Sequence, residues 1–237
     1  MSEVFHFKKF EVAQSGAAMK VGTDSVLLGC WTAVADARRM LDIGAGTGVL
    51  ALMMAQKAGN APFFIDAVEI DADSAALAEQ NFARSPWAGS LRLHQVRIQE
   101  FAKFSLEKYD LIISNPPFFS GGTFAEGQNR AAARQNFQLP NGDLLQAVRQ
   151  LLGENGRFCL ILPWLEGIRF AEMASVYGLH CTRRADVFGR EGRPEERVLL
   201  QLEKNPYPFE REEIIVYGDG QAHSAEFRAL TADFYVK

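Results

Sequence analysis

The 237-residue chain is poor in cysteine, and its three thiols, Cys30, Cys159 and Cys181, lie too far apart to make a C-x-x-C pair. An odd, scattered set argues against a disulfide framework or a zinc knuckle, and buried free thiols are expected instead. Histidine is as sparse: His6, His94, His180 and His223 form no H-E-x-x-H or similar spacing, so no metal site is expected. No stretch approaches the roughly 20 apolar residues of a membrane span, and the N-terminus lacks a cationic segment followed by an apolar one. A cytoplasmic protein without membrane association is expected. There is no internal repeat and no low-complexity tract. A basic excess is missing too: the net charge is −4, so any attraction to nucleic acid must come from local clusters of Lys and Arg.

The chain has 48% hydrophobic and 23% charged residues, enough apolar material for a substantial core. Its length suits one domain with terminal additions. A short alternating strand over 5–10 is followed by Met19 to Gly29, a loop entering a helix with Thr23 or Asp24 as its N-cap. Met40 to Ile43 then forms an apolar strand that runs straight into Gly44-Ala45-Gly46-Thr47-Gly48 and the helical pattern from Val49. Glycines let backbone approach a ligand closely, and the helix N-terminus supplies N–H donors there. Val49 occupies the third-glycine place of G-x-G-x-x-G, which argues against a dinucleotide pyrophosphate. Asp42, just before the glycines, is expected to turn a carboxylate toward the cleft. The second strand, Phe64 to Glu69, ends in an acid placed to accept ribose hydroxyls, and Asp73 or Ser74 is expected to cap the next helix.

The apolar run Leu111 to Ser114 stops at Asn115-Pro116-Pro117-Phe118. Two prolines fix φ, remove two donors and hold the preceding residues extended, so the loop is stiff. Asn-Pro-Pro alone suits an ordinary turn. At the end of a buried strand it also offers a carboxamide oxygen and the Pro116 carbonyl to an amine, with Phe118 as a stacking face. Downstream, a glycine-rich stretch over 119–129 reads as a substrate-side flap, and Arg130 and Arg134 share a face if helical. The turn Gly189 to Pro194 carries Arg190 and Arg193, either as an ordinary hairpin loop or as a phosphate contact.

Three ordered motifs, Leu41 to Gly48, Val68-Glu69-Ile70-Asp71 and Asn115 to Phe118, together resemble the amino-methylating class I S-adenosylmethionine-dependent methyltransferases. The stretch Met19 to Leu28 and the terminal Ala232 to Tyr235 are similar to the bacterial family that methylates adenine N6 beside the anticodon of tRNA1(Val), at position 37. The resemblance implies a Rossmann-like α/β fold, with a seven-stranded mostly parallel sheet and helices on both faces. It implies a strand-and-helix extension over 1–36, a core over 37–204 and a closing segment over 205–237. S-adenosyl-L-methionine would be the cofactor and tRNA the partner, with a monomer or a weak dimer left open. Catalysis falls to Asn115, Pro116, Pro117 and Phe118. Cofactor contacts fall to Lys20, Gly22, Thr23, Asp24, Asp42, Gly44, Gly46, Gly48, Glu69 and Asn115. Ile98 and Gln99 join them where many relatives carry an adenine-side Asp that this sequence lacks. RNA contacts fall to Phe119, Arg130, Arg134, Arg190 and Arg193.

The same Asn-Pro-Pro-aromatic loop suits a protein-glutamine N5 enzyme or a guanine N2 enzyme, because those nitrogens are also planar and poorly nucleophilic. Glutamine methylators usually carry a helical N-terminal domain, and only about forty residues precede the first core strand here. A non-catalytic nucleotide- or RNA-binding module is the reading from another class.

Overall fold

In the computed structural model, residues 3–17, 19–117, 139–218 and 220–236 are described. Phe118, Phe119, Arg130, Arg134 and the expected flap over 119–129 lie outside the described residues.

Alternation along the strands builds two cores from one sheet. In β3 (Arg39–Ile43), Met40 joins one hydrophobic cluster while Leu41 and Ile43 join another. β6 (Tyr109–Ser114) repeats the division, with Leu111 and Ile113 in the first cluster and Tyr109 and Ile112 in the second. Successive side chains point to opposite faces, so a strand buried on both sides reads as a continuous apolar run. The first face is covered by α1 (Thr23–Trp31), α2 (Val49–Ala58) and α3 (Ala72–Arg84). The second is covered by α4 (Ile98–Phe104), α5 (Asn141–Leu151) and α6 (Trp164–Val176).

The remaining strands are a hairpin, β1 (Val4–His6) and β2 (Glu11–Ala13), then β4 (Phe64–Glu69), β5 (Leu91–Gln95), β7 (Leu152–Pro163), β8 (His180–Arg190), β9 (Glu195–Glu203) and β10 (Glu210–Tyr217); α7 (Ala225–Leu230) follows. The large sheet has the order β10-β8-β9-β7-β6-β3-β4-β5. Only β9 opposes its neighbours, β7 and β8; every other pair within this sheet, among the described residues, is parallel. The sheet is thus mostly parallel, but it has eight strands rather than the expected seven. The extra strand is β10, which pairs with β8 and buries Ile214 and Val216. The open edge of β8 that receives it is a tertiary feature.

The order reverses between β3 and β6, and crevices form where neighbouring connections leave such a point in opposite directions. Ile43 and Ser114 are register partners at the carboxyl ends of these strands, so the glycine loop and the Asn-Pro-Pro loop depart side by side. The N-terminal hairpin is fastened nearby by Asn81, which donates to the carbonyls of Ala13 and Thr47 and accepts from Ala13 N–H. Gln14 then accepts Val21 N–H at 3.0 Å, laying the approach to α1 across the crevice. At the far end of α1, Lys57 Nζ donates to the carbonyls of Gly29, Cys30 and Thr32.

Two helix starts differ from the sequence reading. Gly22, not Thr23 or Asp24, is the N-cap of α1, with no side-chain cap bond. Asp71, not Asp73 or Ser74, caps α3 by accepting Ser74 N–H at 2.9 Å. Helix α6 begins at Trp164. Gly167 lowers the helical signal there, but a Cβ at that position would strike Val198, so the glycine lets α6 lie close on β9.

Candidate active site

Gly44, Gly46 and Gly48 all have positive φ, at 75°, 55° and 80°. The requirement is most stringent at Gly48, the N-cap of α2, where a Cβ would stand 2.5 Å from the Phe82 ring. The loop is tied to the end of β4 through Gly44 and Ala45 N–H groups donating to Val68 O at 2.8 and 3.1 Å. Glu69 completes the tie. Its Oε2 accepts Gly46 N–H at 2.8 Å, and its Oε1 accepts the N–H groups of Ile70 and Asp71 at 2.8 and 2.9 Å. A carboxylate has about four acceptor sites, so three backbone donors leave room for another hydrogen bond.

Two cavities meet at this loop, of about 110 and 410 Å³, and share Met19, Gly44, Gly46 and Asn115 as lining. The smaller is an apolar slot walled by Val68, Ile70, Val96, Ile98 and Leu139, with Glu69, Arg97 and Gln99 at its polar edge. Gln99 Nε2 donates to Asp143 Oδ2 at 3.2 Å, so an acid from α5 stands near the slot although the loop after β5 lacks one. The larger cavity is lined by Lys20, Gly22, Thr23, Asp24 and Ser25 on one side and by Gly189, Glu196, Arg197 and Tyr217 on the other. Asp24 Oδ2 accepts from Arg197 Nε at 2.9 Å, joining those two sides.

Asn115 stands at the junction. Its Nδ2 donates to Ser25 Oγ at 3.1 Å, while its Oδ1 is buried without a hydrogen-bond partner. An unpaired buried amide oxygen is costly, and on a residue that lines both cavities it is an acceptor available to a ligand. Pro117 lines the slot beside it, and Pro116 is buried.

Asp42 departs from expectation. It lines neither cavity; it is fully buried beneath the loop, where its Oδ2 accepts Ala51 N–H at 3.1 Å and its Oδ1 is unpaired. Burial, opposed by the Ala51 hydrogen bond and reinforced by the charge of Glu69, pushes its carboxyl up to about 7. Asp42 therefore braces the first turn of α2 rather than facing a ligand. Gly48 likewise lies outside the cavity linings and acts by turning the chain into α2.

Arg190 and Arg193 line a separate shallow cleft that shares Gly189, Glu196 and Tyr217 with the wall of the larger cavity. Arg190 donates to Gly218 O and lies over the Tyr217 ring. Other arginines are engaged internally. Arg183 pairs with Glu212 and covers Trp31. Arg184 and Arg211 bind the fully buried Asp186, which also accepts Trp164 Nε1–H. The thiols are likewise internal: Cys30 and Cys159 are buried and Cys181 half-buried, with burial pushing Cys30 up to about 12. Among the described residues no group of three His, Cys, Asp or Glu side chains could hold a metal, and no helix is long and apolar enough to cross a membrane.

Sequence reasoning missed Ser25 and Asp143, whose partners are Asn115 and Gln99, and the pairing of Arg197 with Asp24. Their neighbours in the chain carry no signal for contacts so distant in sequence.

Residues 13–161 match the model of the methyltransferase small domain. Over 233 residues the chain is 39% identical to a tRNA1(Val) (adenine(37)-N6)-methyltransferase of Trichodesmium erythraeum, covering 98% of each chain. The enzyme of that name from Erwinia tasmaniensis is 42% identical over 98% of this chain and 94% of its own. A predicted O-methyltransferase from Agrobacterium tumefaciens superposes with a TM-score of 0.63 at 17% identity, covering 89% of this chain and 96% of that one. The glycopeptide N-methyltransferase MtfA, complexed with S-adenosyl-L-methionine, gives 0.54 at 13% identity, covering 78% of this chain and all of its own. At such low identity the solved structures establish the Rossmann-like methyltransferase fold alone. The near-complete relatives go further: the chain belongs to the methyltransferase small domain family and, within it, to the tRNA1(Val) (adenine(37)-N6)-methyltransferases.

Proposed function

We propose that this protein methylates N6 of adenosine 37 in tRNA1(Val), using S-adenosyl-L-methionine. The observation that carries the reading is the buried, unpartnered Oδ1 of Asn115 at the junction of the two cavities. The residues around it suit that cofactor. The apolar slot suits a purine in character, Gln99 offers an amide to its edge, and Glu69 retains acceptor capacity for a ribose hydroxyl. The glycine loop and the start of α2, with Lys20 to Asp24, line the larger cavity and would hold the remaining, methionine-bearing part. When bound, the cofactor supplies an electrophilic sulfonium methyl.

The chain's own task is the amine. The N6 lone pair of adenine is delocalised into the ring, so the nitrogen attacks poorly until it becomes tetrahedral. Asn115 Oδ1 and the Pro116 carbonyl would accept its two hydrogens, favouring that geometry and aiming the lone pair. Because the loop is stiffened by two prolines, these acceptors need little reorganisation. Phe118 would stack on the extruded base, with Phe119 beside it, since a stacked nucleotide hides N6 from a deep cleft. Arg130, Arg134, Arg190 and Arg193 would hold phosphates around it.

The test is transfer of labelled methyl from S-adenosyl-L-methionine to tRNA lacking the modification, followed by digestion and nucleoside mass spectrometry. Label in N6-methyladenosine at position 37 is expected. Label in a protein fraction would replace this reading with the glutamine one, and cofactor binding without any transfer would leave a binding module.

A further inference from the structure

We infer that Ser25 is a positioning residue for Asn115, holding the amide nitrogen so that the oxygen is the end presented to the reacting amine. The inference rests on the reading of Asn115 as the acceptor of the N6 hydrogens.

A carboxamide has two nearly isosteric ends of opposite chemistry, two donors on nitrogen and an acceptor on oxygen. Facing an amine, the nitrogen end would set donor against donor. Here Ser25 Oγ accepts from Asn115 Nδ2 at 3.1 Å, while Oδ1 is left buried and unpaired. The hydroxyl therefore satisfies the nitrogen in the same orientation in which the oxygen is available. A hydroxyl can pair with either amide end, so its part is to hold the observed orientation; removing it leaves the buried nitrogen unpaired and the amide free to turn from the amine.

Ser25 is also well mounted for this task. It stands in the first turn of α1, a helix whose next six residues, Val26 to Trp31, are all buried. The three carbonyls gripped by Lys57 anchor the other end. Ser25 lines the larger cavity with Asn115, so the pair faces the same space. The two residues lie 90 positions apart, one in the stretch preceding the glycine loop and the other in the loop after β6.

Ser25→Ala, Ser25→Thr, Asn115→Ala and the Ser25→Ala/Asn115→Ala double variant are compared in steady-state methylation of unmodified tRNA. Calorimetric affinity for S-adenosyl-L-methionine and the melting midpoint are measured alongside. Ser25→Ala is expected to lower kcat roughly tenfold, the scale of one lost hydrogen bond to a positioned group. Its KM for tRNA, cofactor affinity and melting midpoint should stay near wild type. Threonine, which keeps the hydroxyl, should restore most of the turnover. Asn115→Ala should lose about 10² or more, as for an oriented polar group, and adding Ser25→Ala to it should cost nothing further. Wild-type kcat in Ser25→Ala, a loss confined to KM or melting, or full additivity in the double variant would overturn the positioning role. Wild-type turnover in Asn115→Ala would instead remove the underlying reading of Asn115, and the role of Ser25 with it.

Discussion

Ser114 Oγ, at the end of β6, donates to the carbonyl of Ile43, at the end of β3, at 2.8 Å. Both residues are buried, and the next residue on each strand, Asn115 and Gly44, begins a cavity-lining loop. The bond thus clamps together the two loops whose spacing defines the site. Ser114→Ala is expected to leave one buried carbonyl less well paired and to cost about 1 kcal/mol of stability. For a chain of this size that is a fall of roughly 2–4 °C in Tm. Calorimetric melting checks it, and an unchanged midpoint would mean that the strand ends are held by their ladder alone.

Two glycines of similar positive φ should respond differently to alanine. Gly48 and Gly192 have φ of 80° and 70°, but only at Gly48 would the new methyl meet a neighbour, the Phe82 ring. Gly192→Ala is expected to carry only the strain of a positive φ, about 1–2 kcal/mol. Gly48→Ala should cost more and also weaken cofactor binding, because the glycine loop must move. Equal losses in denaturant titration, with equal cofactor affinity, would show that Phe82 yields freely.

Asp42 should impose a pH signature on stability. Its folded carboxyl is raised from 3.8 to about 7, so the native state holds the proton more tightly than the unfolded chain. Its favourable contribution is therefore complete below the unfolded value, is lost progressively between these two values, and is gone above the folded one. Asn at this position keeps an acceptor for Ala51 N–H without the charge. The stability of wild type minus that of Asp42→Asn should fall by a few kcal/mol between about pH 4 and pH 7 and then level off. A difference curve that is flat across this window would contradict the shift.

Arg190 and Arg193 should matter for RNA and not for the cofactor. If each contacts one phosphate, its replacement by alanine should weaken tRNA binding and lower the slope of log affinity against log salt by about 1. Arg193 is the cleaner probe, because Arg190 also covers Tyr217 and donates to Gly218 O. Fluorescence titrations across a range of salt measure the slope. An unchanged slope in Arg193→Ala would remove this turn from the RNA-binding surface.

What the sequence determined by itself were the features that depend on neighbours in the chain. Continuous apolar runs ended by glycines or prolines identified β3 and β6. The glycine spacing placed a loop before α2, and the acid at the end of β4 stood next to it. Together with Asn115 to Phe118, these carried the family resemblance that implied the fold and the cofactor class, and they include several of the cavity-lining residues. They could be read because strand period, left-handed backbone and proline geometry are local properties.

Tertiary structure decided which side chains serve ligands and which serve the fold. Asp42 and Glu69 both end strands, yet one is sealed beneath α2 and the other lines the slot. Asp24, a plausible cap from sequence, pairs with Arg197 across 173 positions, and Arg184 is drawn to the buried Asp186 instead of to solvent. Gly167 is explained by the proximity of Val198, and β10 by an unfilled sheet edge. The orientation of the Asn115 amide depends on Ser25 from another element. Each of these outcomes is set by a partner distant in sequence, and desolvation and hydrogen-bond pairing act on proximity in space rather than on order in the chain.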